Sequence, residues 1–122
     1  MFQRQLLTLT ALIEATTGLA LLAVPAVVVR LLLGGEISDA GISLGRVAGL
    51  ALLSLGVACW PGRADAGNKA SALRAMLIYN GSTTLFLFYL GVGGEATGPL
   101  LWPVVVLHAV FAGWCFRRYV AA

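Results

Sequence analysis

Four long apolar segments alternate with short polar connectors along the chain. The segments cover residues 6–29, 42–60, 72–92 and 99–116. A bilayer core about 30 Å thick is crossed by roughly 20 helical residues, so each segment predicts a transmembrane α-helix. The connectors are rich in Gly, Pro, Asn and Ser, which favour turns, and short turns join antiparallel neighbours. We therefore predict an all-α integral membrane protein in which residues 1–122 form a single domain, an antiparallel four-transmembrane-helix bundle.

The first apolar segment contains a proline that limits its helix. Pro25 lacks an N–H group, so it is expected to kink the helix or to end its membrane-normal part. Residues 26–33 then form a short interfacial continuation, from which Arg30 reaches the head groups. A secretory signal is the alternative reading, because residues 24–26 resemble a cleavage site. The apolar run is too long for an ordinary signal core and contains Glu14, which favours a retained span.

Composition agrees with a membrane protein. Hydrophobic residues make up 60% of the 122 residues and charged residues 11%, which is more apolar than a soluble domain of this size requires. The formal net charge is +3, but the basic residues form no run interleaved with aromatics, so nucleic-acid binding is not predicted. The lipid bilayer is the predicted partner of most of the surface.

The distribution of basic residues predicts the orientation of the spans. Lys and Arg near span ends are more frequent on the cytoplasmic side of a membrane. One side carries six basic residues, namely Arg4, Arg63, Lys69, Arg74, Arg117 and Arg118. The other side carries only Arg30 and Arg46, beside the acidic residues Glu36, Asp39 and Glu95. Both termini are therefore predicted in the cytoplasm, and the bias argues against insertion in two opposite orientations.

Glycines predict how the helices pack. Gly41, Gly45 and Gly49 recur every four residues in the second span, and Gly56 lies further along the same face. Gly18 offers a small residue in the first span. Helices in lipid associate through close packing of small residues, so these positions are expected at helix contacts. Packing within the bundle is favoured, and a homo-oligomer is the alternative.

Polar side chains inside the spans are costly in lipid and therefore tend to face a partner, a cavity or a pathway. Glu14 and Asn80 each lie eight residues, roughly 12 Å, from the predicted cytoplasmic end of their span. His108 lies at a similar depth in the fourth span, so we expect a cluster of these three side chains, with Tyr79 beside it. Arg46 starts nearer the outer face; its side chain reaches either down toward His108 or, as we favour, outward to Asp39 or the head groups.

This polar cluster has two readings. A carboxyl and an imidazole that share a proton suit a proton relay or the binding of a ligand head group. Alternatively, Glu14 hydrogen-bonded to Asn80 only fixes the register of the helices. No catalytic residue is predicted. Cys59 and Cys115 form no metal motif, and haem, iron–sulfur and nucleotide motifs are absent from the sequence, which leaves a quinone open as a cofactor.

Glu14 with Gly18 and Pro25, followed by residues 46–49 (Arg-Val-Ala-Gly) at the start of the second span, resembles the DoxX-like small membrane proteins of bacteria. The resemblance covers the whole chain and implies four helices in the bacterial inner (plasma) membrane, with a quinone or a membrane-protein partner. Glu14 also matches the first-helix glutamate of small multidrug resistance transporters. The third span lacks their glycine-rich pattern, however, and the charge bias conflicts with dual topology, so we rank that comparison lower.

Three functions follow from these patterns. The first is a non-enzymatic subunit or binding module that holds a lipid-like or quinone-like molecule, or anchors a membrane partner, at the polar cluster. The second is a proton-coupled small-molecule transporter that uses Glu14. A redox enzyme is the third, and it is disfavoured because the chain has one His and no iron–sulfur cysteine set.

Overall fold

The computed structural model describes residues 2–62 and 66–121, and over them the protein is all-helical. No strand occurs in this part of the chain. The described residues form five helices, which in chain order are α1 (Phe2–Ala23), α2 (Pro25–Leu33), α3 (Asp39–Ala58), α4 (Ala66–Val92) and α5 (Leu101–Val120). The prediction of an all-α protein is confirmed. Arg63, which the charge count uses, lies outside the described residues.

Within residues 2–62 and 66–121, three helices are long and apolar enough to cross a membrane: Phe2–Ala23, Asp39–Ala58 and Asn68–Val92. They correspond to the first three predicted spans. The fourth predicted span, 99–116, falls mostly within α5, which is not one of the three and carries Arg117 and Arg118 in its last turn. The described part of the chain is therefore helical, with three helices that are long and apolar enough to span a bilayer.

The first span breaks where the proline predicts. α1 ends at Ala23, and Val24 takes the non-helical angles φ −137° and ψ 59°. A residue before proline is pushed out of the helical region, and proline is well suited to the first turn of a new helix. α2 accordingly begins at Pro25 and ends before Gly34, whose φ of 80° is a left-handed conformation that favours glycine.

Two helices begin earlier than their apolar segments. α3 starts at Asp39 and not at residue 42, because the Ser38 hydroxyl accepts a hydrogen bond from Gly41 N at 3.1 Å and caps the helix. α4 starts at Ala66 and not at residue 72, since its helical hydrogen bonds continue through polar residues such as Lys69. Hydropathy marks the apolar part of a helix and not its polar first turns.

α1 and α3 form a closely packed antiparallel pair. A Cβ atom added at Gly18 would lie 2.6 Å from Gly49 O, and one added at Gly49 would lie 2.6 Å from Gly18 O. Further along, a Cβ atom at Gly56 would lie 2.7 Å from Ala11 O. The two backbones therefore touch at positions that only glycine allows, as small-residue packing requires.

The remaining predicted packing glycines differ from these three. A Cβ atom at Gly45 would lie 3.1 Å from Pro25 Cβ, so Gly45 packs beside the break between α1 and α2. The nearest atoms around Gly41 belong to Ile37 and Ser38, in its own N-terminal turn. Along the glycine stripe, the contacts with α1 therefore begin at Gly49.

α4 and α5 form the second antiparallel pair. The rings of Phe88 and Trp102 meet edge to face at one end, with centroids 5.9 Å apart. At the other end, Arg74 Nη2 donates to the Tyr119 hydroxyl at 3.5 Å. The end of α1 that holds Leu6 joins the two pairs through a buried apolar core, formed by Leu6, Leu7, Ala11, Cys59, Leu73, Met76, Phe111 and Cys115.

A second apolar cluster closes the opposite end of the molecule. It comprises Leu87, Ala96, Leu101 and Val105, and Leu32 and Leu33 of α2 pack against it. Among the described residues α3 packs mainly on α1 and shares no extended interface with α4 or α5. The polar residues predicted at mid-depth lie between the two apolar clusters, where α1 faces the α4–α5 pair.

Candidate functional site

Among the residues that the structure describes, four polar side chains are buried between the helix pairs. Glu14 is 1% exposed, Asn80 and Thr10 are 0% exposed and His108 is 6% exposed. Buried polar groups need hydrogen-bond partners, and in lipid no water replaces a missing one. The pairing of these side chains therefore indicates what the site can do.

Asn80 is the centre of the hydrogen-bond network. Its Nδ2 donates to Met76 O at 2.8 Å, and its Oδ1 lies 2.7 Å from His108 Nδ1. The Thr84 hydroxyl donates to the backbone oxygen of Asn80 at 2.7 Å. Both ends of the Asn80 amide are thus occupied, and the contact with His108 joins α4 to α5 in the buried interior.

Tyr79 connects this pair to α1. Its ring meets the His108 imidazole edge to face, with centroids 5.6 Å apart and an interplanar angle of 83°. Its hydroxyl lies beside the Glu14 carboxyl and the Thr83 hydroxyl. Tyr79 and Asn80 are consecutive in α4, about 100° apart around the helix, so one reaches toward α1 while the other pairs with α5.

Glu14 lies beside the Asn80–His108 pair without bonding to it. Glu14 Oε1 has no hydrogen-bond partner among the described residues. The predicted hydrogen bond between Glu14 and Asn80 is not formed among the described residues, in which the Asn80 side chain bonds to Met76 O and His108. The predicted cluster therefore consists of a bonded pair and a carboxyl that reaches it only through Tyr79.

Arg46 takes a position that neither predicted alternative included. Its Nε donates to Leu22 O at 3.3 Å. The helix break at Val24 leaves carbonyls of the last turn of α1 without helical partners, so a donor from the neighbouring α3 can bind one. Arg46 is exposed and does not line the cavity described next.

A cavity of about 410 Å³ opens beside the polar layer. Most of its wall is apolar and comes from α1, α2, α4 and α5. Its polar lining side chains are Thr16, Thr17, Tyr79, Thr83 and His108. Glu14 and Asn80 do not line the cavity, so His108 and Tyr79 are the two predicted site residues that a bound molecule would touch.

The contribution of α2 to this cavity was missed by sequence reasoning. Five of its residues line the wall, namely Val28, Val29, Leu31, Leu32 and Leu33. The backbone of α2 is fixed against the α4–α5 connection, since Thr97 N donates to Leu33 O at 3.0 Å and Leu100 N donates to Leu31 O at 2.9 Å. The apolar character of residues 26–33 was the available signal, but we assigned it to the membrane interface.

A smaller cavity, about 380 Å³, lies at the other end of the molecule. Trp60, Lys69 and Cys59 contribute to its lining. Cys59 and Cys115 are both free and buried. Among the described residues no group of three or more His, Cys, Asp or Glu side chains could hold a metal ion.

The larger cavity combines the two features of a site for a hydrophobic molecule. Its apolar wall suits a hydrocarbon body, and a few convergent polar groups at one end can orient a head group. No protein-family model, curated protein or solved structure matches the chain. The function is therefore inferred from the fold and the site.

Proposed function

We propose that the protein is a membrane-embedded binding module that holds a hydrophobic, lipid-like or quinone-like molecule in the cavity between α1, α2, α4 and α5. The observation that carries this proposal is the largely apolar cavity of about 410 Å³ with His108 and Tyr79 at its polar end. The volume lies within the usual range of small-molecule sites, roughly 300–1,000 Å³.

The position of the polar groups supports binding over a purely structural role. A residue that only fixes helix register is satisfied within the protein, as Asn80 is by Met76 O and His108. His108 and Tyr79 instead border open space, where a bound molecule can complete their hydrogen bonds. This function is non-enzymatic, and a membrane-protein partner that inserts a side chain into the cavity would use the same groups.

The proposal includes a topology in which α5 is the fourth span and both termini are cytoplasmic. α5 supports this because it runs antiparallel to α4 along most of its length, from Phe88–Trp102 to Arg74–Tyr119. Reporters that are active on one side of the membrane only, fused to either terminus, test the topology. Cytoplasmic activity at both ends is expected, and opposite sides for the two ends would exclude an even number of spans.

Within this topology, the proposed family is the DoxX-like group and the proposed location is the bacterial inner membrane. Glu14, Gly18 and Pro25 support the resemblance through their placement. Glu14 is buried, Gly18 contacts α3 and Pro25 starts α2. Cell fractionation of a bacterial host checks the location.

A cavity-filling variant and a matched surface control test the binding function. Val104→Phe adds a ring inside the cavity, whereas Val106→Phe adds the same ring to the exposed side of α5, where Val106 is 60% exposed. Native mass spectrometry of gently extracted protein should show a hydrophobic molecule bound to the wild type and to Val106→Phe but not to Val104→Phe. Equal occupancy in both variants, or none in the wild type, would contradict the proposal.

A proton-coupled small-molecule transporter is the second candidate function. Glu14 Oε1, enclosed and without a hydrogen-bond partner among the described residues, is the observation that favours it. A buried carboxyl of this kind is a typical proton carrier in transporters. Reconstituted vesicles test it: substrate-dependent proton uptake that Glu14→Gln abolishes would support transport, and no proton movement across a broad substrate panel would exclude it.

A further inference from the structure

The hydrogen bonds of Asn80 determine which way its amide faces. Met76 O is a backbone carbonyl and can only accept, so the Asn80 atom 2.8 Å from it must be the donating Nδ2. The Oδ1 atom then faces His108 Nδ1 at 2.7 Å. A flipped amide would place two acceptors against each other at Met76, so this orientation is the one that satisfies both contacts.

The same contact assigns the proton on the imidazole. Asn80 Oδ1 only accepts, so His108 Nδ1 must carry the hydrogen and donate it. In the neutral imidazole the other nitrogen, Nε2, is then an acceptor with a free lone pair. Asn80 acts as a positioning residue that selects this tautomer, much as second-shell partners orient metal-binding histidines.

The acceptor atom lies on the edge of the ring that Asn80 leaves free. His108 lines the cavity, whereas Asn80, which holds the Nδ1 side of the ring, does not. Among the described residues, Nε2 takes part in no hydrogen bond, and the sole enclosed side-chain atom without a partner is Glu14 Oε1. Nε2 is therefore not sealed within the protein, and it is available to a molecule in the cavity.

We propose that the cavity selects a hydrophobic molecule whose head group donates a hydrogen bond, such as a hydroxyl, over one whose head group only accepts. The inference rests on the proposed binding function and specifies its ligand. A hydroxyl head donates to His108 Nε2, and the rotatable hydroxyl of Thr83, which also lines the cavity, can donate to the head group's own oxygen. A carbonyl or ether head leaves the Nε2 lone pair facing another acceptor, which loses one hydrogen bond.

Nitrogen NMR of the imidazole tests the tautomer directly. His108 is the single histidine of the chain, so 15N-histidine labelling of the full-length protein in lipid nanodiscs reports this ring alone. At neutral pH we expect a protonated Nδ1 signal and an unprotonated Nε2 signal, with Nε2 moving when a donor binds. A protonated Nε2 beside an unprotonated Nδ1 would overturn the proposal without any variant.

Two isomeric probes test the selectivity. 1-Dodecanol and 1-methoxyundecane have the same atoms and nearly the same length, but only the alcohol can donate a hydrogen bond. For each probe, the dissociation constant of the wild type is compared with that of the His108→Phe variant in the same nanodiscs. This comparison removes the difference between the two probes in their partitioning into lipid. We expect the alcohol to bind about fivefold more tightly to the wild type, the effect of one hydrogen bond.

The Asn80→Ala variant tests the positioning role. Without Asn80 Oδ1 both tautomers become accessible, so the preference for the alcohol should fall toward unity and the NMR signals should show a mixture. Ser54→Ala, which removes a polar group on exposed α3, should keep the wild-type preference. Equal binding of both probes to the wild type would overturn this inference and leave the binding function standing. If neither probe binds, both the inference and the binding function are overturned.

Discussion

Replacing Gly49 by alanine should separate α1 from α3. The added Cβ atom would lie 2.6 Å from Gly18 O, 3.0 Å from Leu21 Cβ and 3.0 Å from Leu22 N. Two of these three atoms belong to backbone, which cannot rotate away as a side-chain tip can. The helices must therefore shift apart by several tenths of an ångström, which weakens the backbone contact between Gly18 and Gly49.

The size of the effect follows from two opposing contributions. Overpacking at a rigid contact costs about 1–3 kcal/mol. Replacing glycine by alanine inside a helix gains up to about 1 kcal/mol of helix stability. Gly81→Ala in α4 isolates the second contribution, since a Cβ atom there meets nothing within 4 Å. We expect Gly81→Ala to be neutral or stabilising, and the difference between the two variants to be about 1–3 kcal/mol.

The free energy of unfolding in mixed micelles, measured by SDS titration and circular dichroism, provides the assay. The double variant Gly18→Ala with Gly49→Ala adds a further test. Both added Cβ atoms press on the same contact, so the shift that relieves one relieves the other, and the combined loss should be smaller than the sum. Strictly additive losses, or a Gly49→Ala protein as stable as Gly81→Ala, would refute backbone contact at these glycines.

Four further variants probe the site and its surroundings. His108→Phe should lower the free energy of unfolding by about 1 kcal/mol, because it leaves Asn80 Oδ1 unpaired, and adding Asn80→Leu should recover part of that loss in a double-variant cycle. Arg46→Met, which removes the donor to Leu22 O at 3.3 Å, should cost at most about 1 kcal/mol in the same SDS titration, since Arg46 is exposed. Gly34→Ala should cost about 1–2 kcal/mol, because φ is 80° and a Cβ atom would lie 2.5 Å from Thr97 Oγ1, and a wild-type unfolding curve would contradict this.

The positions of the helices were predictable because a bilayer imposes a minimum apolar length. That constraint located the apolar parts of α1, α3 and α4, and Pro25 marked the break between α1 and α2 for a local steric reason. The ends of the helices depend instead on capping and on backbone hydrogen bonds. Ser38 begins α3 by capping it, and the hydrogen bonds of α4 continue through Lys69 although the side chains there are polar.

The sequence predicted the depth of the site residues along their helices, but not the rotation of those helices about their axes. Counting residues from the span ends placed Asn80 and His108 at similar heights, and they are hydrogen-bonded at 2.7 Å. The same count allowed Glu14 to join them. The rotation of α4 about its axis decides which of its residues faces Glu14. A rotation of about 100° would put Asn80 where Tyr79 lies. Rotation depends on packing against α1 and α5 together, and one amphipathic pattern does not contain that information.

The break at Pro25 also explains the direction in which a molecule would lie in the cavity. It turns the chain so that α2 crosses from α1 to the α4–α5 connection, where the Leu31 and Leu33 carbonyls accept hydrogen bonds. α2 thus supplies apolar wall at its end of the cavity, while the polar groups lie deeper, at His108 and Tyr79. In the proposed topology a bound molecule therefore places its polar head near mid-depth and its hydrocarbon toward α2. A phospholipid keeps its charged head group at the membrane surface, so this arrangement favours a hydrophobic molecule with a small uncharged head.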